Sequence, residues 1–122
     1  MDPSVSYVHC LLGHELLLIE EYENAKNSYQ QAININKTEF YGYWGLGNVY
    51  LKKDENEKAQ EYFQLALQLN PSCSTILTYI GITYNNTDKY DVALKFFEQA
   101  ESLDSKNLIN SYHKATSLFH LN

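Results

Sequence analysis

The 122 residues carry nine lysines plus arginines against fifteen aspartates plus glutamates, a formal charge of −6. A nucleic-acid surface needs a basic stripe to displace counterions, so that class of partner is set aside. No run approaches the roughly 18 apolar residues of a membrane span, and the start Met1-Asp2-Pro3-Ser4 lacks the basic and apolar segments of a secretion signal. An intracellular chain, or a piece cut from one, is expected.

Small residues recur at an interval of 34: Gly13, Gly47, Gly81 and Ala115, followed in phase by Ala25, Ala59, Ala93 and by Ala32, Ala66, Ala100. Where two helices of one unit cross, only Gly or Ala lets the backbones approach. Three phase-locked small positions per unit therefore predict a helix-turn-helix repeated along the chain. The expected fold is all-α, an α-solenoid, with residues 1–122 forming one array.

The first repeat is read over residues 6–39. Leu12 and Leu16 form an i, i+4 pair beside Gly13, Glu20-Glu21 marks the turn, and the second helix sets Tyr29 between its alanines before ending in Ile35. The second repeat, 40–73, pairs Leu46 with Tyr50, turns at Lys53-Asp54-Glu55 and carries Phe63 and Leu69. Asn70-Pro71 closes it, because the residue before proline is pushed out of the helical region. The third repeat, 74–107, pairs Ile80 with Tyr84, turns over residues 85–89 and carries Phe97 and Leu103. Residues 108–122 are a partial fourth repeat that stops after one helix. With no second helix to cover Ala115 and Leu118, the chain reads as a fragment whose apolar ends favour self-association at high concentration.

Chemistry-bearing motifs are few. Cys10 and Cys73 fall in different repeats without metal-ligand spacing and read as reduced thiols. His14-Glu15 opens like a zinc-protease helix, but Leu18 stands where the second histidine is required. No phosphate loop and no nucleophile beside a sequence-evident base is present, so neither catalysis, a metal nor a cofactor is expected. Asn36-Lys37-Thr38 and Asn85-Asn86-Thr87 match the glycosylation tripeptide, which carries no meaning without a secretion signal.

What remains is a binding surface. In such an array the first helices line a concave face, and the residues beside each crossing glycine, with those a turn away, point toward it. They are Cys10, His14, Leu17 and Leu18 in the first repeat, Tyr41, Trp44, Gly45, Asn48, Leu51 and Lys52 in the second, Thr78, Tyr79, Ile82, Asn85 and Asn86 in the third, and Tyr112, His113, Thr116 and Phe119 in the last helix. Asn48 offers both donor and acceptor to a peptide backbone or terminal carboxylate. Trp44 and Tyr41 are aromatics of the kind that anchor interfaces.

The second repeat, with Trp44, Leu46-Gly47, Tyr50, Ala59, Phe63, Ala66 and Pro71, resembles the tetratricopeptide repeat; the tryptophan is shifted by one place and Tyr43 occupies its usual seat. That resemblance covers the chain from Ser6 onward and implies a right-handed superhelix. A narrower resemblance rests on Leu11-Leu12-Gly13-His14-Glu15, Tyr43-Trp44-Gly45-Leu46-Gly47, Asn70-Pro71-Ser72 followed by Ile80-Gly81, and Tyr112-His113-Lys114-Ala115 with Leu118-Phe119. These strings are similar to the cell-division-cycle-twenty-seven type of scaffold subunit of the anaphase-promoting complex.

The narrower resemblance implies a non-catalytic subunit of a ubiquitin ligase that controls mitosis, with other complex subunits as partners. It also implies a groove that receives the Ile-Arg carboxy-terminal tails of activator and receptor subunits. Asn48 and Lys52 would then meet the terminal carboxylate and Glu15 the arginine, with Tyr41, Leu17 and Tyr79 as apolar walls. The competing expectation is a co-chaperone type of adaptor clamping an acidic Glu-Glu-Val-Asp tail. That clamp needs several groove cations, and the first helices supply few.

Overall fold

The computed structural model describes residues 3–122; Met1 and Asp2, part of the chain start weighed above, lie outside the described residues. Those residues form seven helices and no strand: α1 (Pro3–Leu18), α2 (Tyr22–Ile35), α3 (Phe40–Lys52), α4 (Asn56–Leu69), α5 (Ser74–Asn86), α6 (Tyr90–Leu103) and α7 (Leu108–Leu121). Helices α1 with α2, α3 with α4 and α5 with α6 make the three expected helix pairs, and α7 stands alone. The polypeptide divides into two compact units, Met1–Leu69 and Asn70–Asn122.

The second helix of each pair is amphipathic, its core side reduced to two alanines and an aromatic. Ala25, Tyr29 and Ala32 are buried on α2, Ala59, Phe63 and Ala66 on α4, and Ala93, Phe97 and Ala100 on α6. Each aromatic lies flat on the crossing glycine of the preceding helix. A Cβ placed on Gly13 would stand 2.9 Å from the Tyr29 ring, and one on Gly47 2.5 Å from Phe63, while on Gly81 it would run into Phe97. The alanines let the backbones close in and the glycine leaves the ring its seat. Burying one such ring stabilises the pair by about 1.5–3 kcal/mol.

Helix α3 carries three glycines, each costing roughly 0.8–1.0 kcal/mol of helix propensity relative to alanine. Tertiary contact explains all three. Gly42 sits against Ile33 and Gly45 against Tyr29, both on α2, whereas Gly47 receives Phe63 from α4. Placed between two second helices, α3 must be thin on both sides. Leu46 and Val49 join Cys10, Ala25, Tyr29, Ala32 and Ile33 in the core of the first unit, with Leu16, Leu17, Tyr22, Tyr43 and Tyr62 packed around it.

The turns within the three pairs are alike. Glu20, Asp54 and Asp88 take left-handed φ of 64°, 60° and 61°. Around the first, Glu21 N–H donates to Leu16 O (2.9 Å) and Glu20 N–H to Leu17 O (3.1 Å); Glu55 with Tyr50, and Lys89 with Tyr84, repeat the longer-range bond. This is the Schellman closure, usually completed by glycine. Asn85 and Asn86, read both as first-helix positions and as the opening of the third turn, belong to α5.

In the second unit, α7 packs on α5 and α6 through a polar seam. Asn110 Nδ2 donates to Phe97 O (2.9 Å), its Oδ1 accepts from Thr78 (3.0 Å), and Ser117 Oγ donates to Asn85 Oδ1 (2.6 Å). Asn107 caps α7 by accepting from Asn110 N–H (3.1 Å). Lys114 reaches Glu101 on α6 at 3.1 Å. The opposite side of α7 leaves Leu108, Tyr112 and Phe119 exposed.

Two substitutions test this packing. Gly47→Ala adds a methyl where the Phe63 ring lies and should lower stability by about 1–3 kcal/mol, whereas propensity alone would raise it by up to about 1 kcal/mol; urea unfolding gives the sign. Asp54→Gly relieves a left-handed residue and should raise stability by about 0.5–1 kcal/mol, read in the same assay.

Candidate functional site

Because the Tyr29 ring is seated between Gly13 of α1 and Gly45 of α3, these two first helices run side by side, and a groove opens between them. It encloses about 190 Å³ and is lined by Tyr7, Cys10, Leu11 and His14 of α1, Tyr41 and Trp44 of α3, and Tyr29 of α2. The periodicity is helical: residues 7, 11 and 14 share one face of α1, as 41 and 44 do on α3. Tyr7 meets Tyr41 edge to face with ring centroids 5.8 Å apart, and Phe40 stacks on Tyr41 at 4.2 Å. The aromatic walls are thus braced by neighbouring rings.

No lining side chain bears a fixed charge. Cys10 is buried, and burial together with the Glu39 charge pushes its thiol up to about 12. Burial raises the Tyr29 phenol as well, with Cys10 adding to the effect. Both groups stay protonated at neutral pH and can donate. Tyr29 is 2% exposed, and its hydroxyl is buried without a hydrogen-bond partner among the described residues.

The groove brings together four residues named from sequence: Cys10, His14, Tyr41 and Trp44. Tyr43, in the tryptophan's usual seat, packs at the core and donates its hydroxyl to Lys37 O (3.1 Å), which leaves Trp44 to face the groove. Leu17 packs partly buried against the core, Glu15 is exposed outside the lining, and Lys52 is exposed in the last turn of α3. Asn48 is only 5% exposed and its Nδ2 donates to Trp44 O (3.3 Å), so its amide is already engaged by its own helix.

Others of the named residues lie in the second unit. Thr78 is buried, and its hydroxyl is shared between Ser74 O (2.9 Å) and Asn110 Oδ1 (3.0 Å). Tyr79 is half-buried, and burial raises its phenol. Tyr112 is 70% exposed and meets His113 edge to face at 5.1 Å. His113 is half-buried near the Phe97 ring (6.2 Å), and burial lowers its imidazole below the usual 6.5.

Sequence reasoning did not assign Tyr7, Leu11, Tyr29 or Glu39 to the site. Tyr7 and Leu11 were readable as the turns preceding His14 on one helical face. Tyr29 stands where the other repeats have phenylalanine. Glu39 precedes α3, and its carboxylate accepts from Ser6 Oγ at 3.3 Å while raising the thiol of groove-lining Cys10.

The lowered His113 carries a pH prediction. Below pH 6.5 the unfolded chain takes up a proton that folded His113 resists, so stability should fall as pH drops through 6.5 toward the folded value. His113→Gln should flatten that part of the stability profile while leaving the carboxylate-driven loss at lower pH, as measured by urea unfolding at intervals from pH 8 to 4.5.

Three repeat models match the chain: "TPR repeat" over residues 13–54, and "Tetratricopeptide repeat" over 43–73 and again over 76–107. The chain is similar to anaphase-promoting complex subunit 3 of Schizosaccharomyces pombe, 43% identical over 51 residues, which is 42% of this chain and 8% of that protein. It is also similar to the cell division cycle protein 27 homolog of Caenorhabditis elegans, 33% identical over 51 residues, 42% of this chain and 6% of that one. The matched stretch thus spans less than a tenth of either relative. Among solved structures, the first TPR of Spaghetti (RPAP3) bound to the HSP90 peptide SRMEEVD aligns with a TM-score of 0.90 over 99% of this chain and 96% of the other, at 17% identity. At that identity the likeness speaks for the fold.

Proposed function

We propose, on the premise that this chain belongs to the tetratricopeptide-repeat family, that it is a non-catalytic scaffold segment that captures a carboxy-terminal tail in the groove between α1 and α3. The observation that carries this reading is the groove itself, an uncharged aromatic cleft of about 190 Å³ on a rigid helix pair. Aromatic and aliphatic walls seat an apolar residue, and the surrounding chain, at −6, attracts a cationic one. The similarity to anaphase-promoting complex subunit 3 makes a tail ending in Ile-Arg the first choice, borne by activator or receptor subunits of such a complex in nucleus and cytoplasm. Glu39, half-buried beside Ser6, is better placed than Glu15 to meet the arginine, since Cys10 in the groove senses its charge. Lys52, exposed at the end of α3, remains the available cation for a terminal carboxylate.

The second reading is a co-chaperone type of adaptor, favoured by the fold shared with the HSP90-peptide-bound domain. An acidic tail needs several lysines or arginines around the groove, and none lines it. The tail reading is therefore preferred.

Fluorescence anisotropy with labelled peptides decides between them. A peptide ending in Ile-Arg with a free carboxylate should bind roughly tenfold or more tighter than its amide or a Glu-Glu-Val-Asp peptide, taking one charge-assisted contact as the difference. Trp44→Ala and Glu39→Gln should each weaken it. Preference for the acidic peptide would establish the adaptor reading instead, and no binding by the folded chain would overturn both.

A further inference from the structure

The three helix pairs provide an internal comparison at the aromatic seat. Phe63 and Phe97 fill it in the second and third repeats, each fully buried on its glycine. Tyr29 fills it in the first with the same ring contact, so packing asks for the ring and not for the hydroxyl. The hydroxyl is nevertheless there, buried, without a partner among the described residues, and on a side chain that lines the groove. A buried unpaired hydroxyl costs stability in the free protein. A ligand that supplied the missing bond would recover that cost.

The other lining groups narrow that ligand. Tyr7, Leu11, Tyr41 and Trp44 provide apolar and aromatic surface, and no lysine, aspartate or glutamate lines the cleft. A charged group brought to the floor would lose its hydration without gaining a counter-charge. A purely aliphatic group would leave the Tyr29 hydroxyl as it is. We infer that the floor of the groove between α1 and α3 selects a partner side chain with an apolar body and a neutral hydrogen-bonding tip, of which a phenol is the best match, the tip pairing with the Tyr29 hydroxyl. Leu11 and His14 at the mouth are exposed, so their rotamers are free to admit it. Tyr29 and Cys10 are both held protonated by burial, which keeps the floor a donor across the physiological range.

This inference rests on the groove being a binding site and adds a preference for a partner side chain other than the isoleucine and arginine of the tail, and the tests of the two are separable. The probes are p-cresol and toluene, which share an apolar body and differ only by the hydroxyl, titrated into the whole chain. Binding is read from the indole N–H signal of Trp44, the only tryptophan in the sequence, by nuclear magnetic resonance. Wild type should bind p-cresol roughly tenfold tighter than toluene, the value of one net hydrogen bond, and Tyr29→Phe should bind both alike while unfolding at equal or higher urea concentration. Equal affinities in wild type, no shift with either probe, a cresol preference that survives Tyr29→Phe, or a Tyr29→Phe variant less stable than wild type would each overturn it. The wild-type comparison stands by itself if the variant misfolds. Cresol selectivity without capture of an Ile-Arg peptide would uphold this inference and refute the tail reading.

Discussion

Everything in the described fold depends on one contact repeated three times: an aromatic ring of a second helix laid on a glycine of the first. The contact is demanding because it needs three conditions together. The glycine must have no Cβ, the flanking positions on the second helix must be alanine, and the turn must bring the helices back antiparallel at the right rotation. The 34-residue period keeps all three in phase. Ring burial supplies the energy and the small residues supply the access. Neither suffices without the other, since an aromatic facing a larger residue would be expelled and a small pair without the ring would leave a void.

The turn residues show how the same geometry is met with unusual chemistry. Schellman closures ordinarily recruit glycine for the left-handed residue, yet Glu20, Asp54 and Asp88 take that role here. Their positions are spaced by the repeat itself, so the conformation is imposed by closure of the helix pair and not by local preference. Asp88 partly offsets its strain by accepting a hydrogen bond from the Tyr90 hydroxyl at 2.8 Å. Strain at the turn is carried by burial at the crossing.

Architecture was legible in the sequence because both of its causes are local. Period, small residues and Pro71 together defined three helix pairs and a lone helix. The groove was legible in part. His14, Tyr41 and Trp44 were found because they neighbour the crossing glycines on first helices. Asn48 and Thr78 satisfied the same rule, yet they are buried and bonded within their own units. The rule specifies a helical face but not how far a neighbouring helix covers it. Asn85 was read as a groove position and as the start of a polar connection; it is used on the α5 side of the seam with α7. Tyr29 was read only as core, since a tyrosine and a phenylalanine are equivalent to a periodicity argument.

That equivalence fails at the hydroxyl, and there packing and recognition part. The first unit asks two things of Tyr29: its ring is seated between α1 and α3, and its buried hydroxyl belongs to a side chain that lines the cleft this packing creates. Tyr43 and Trp44 divide their duties in a similar way, with Tyr43 at the core and Trp44 at the groove. Fixed charge lies outside the groove lining, on half-buried Glu39 and exposed Lys52, and acts through space over about a Debye length of 8–10 Å. Such an arrangement lets long-range attraction govern encounter with a charged partner while the uncharged cleft governs which side chain stays. Selectivity then resides in a few atoms at the base of a rigid helix pair, where a single oxygen distinguishes otherwise interchangeable rings.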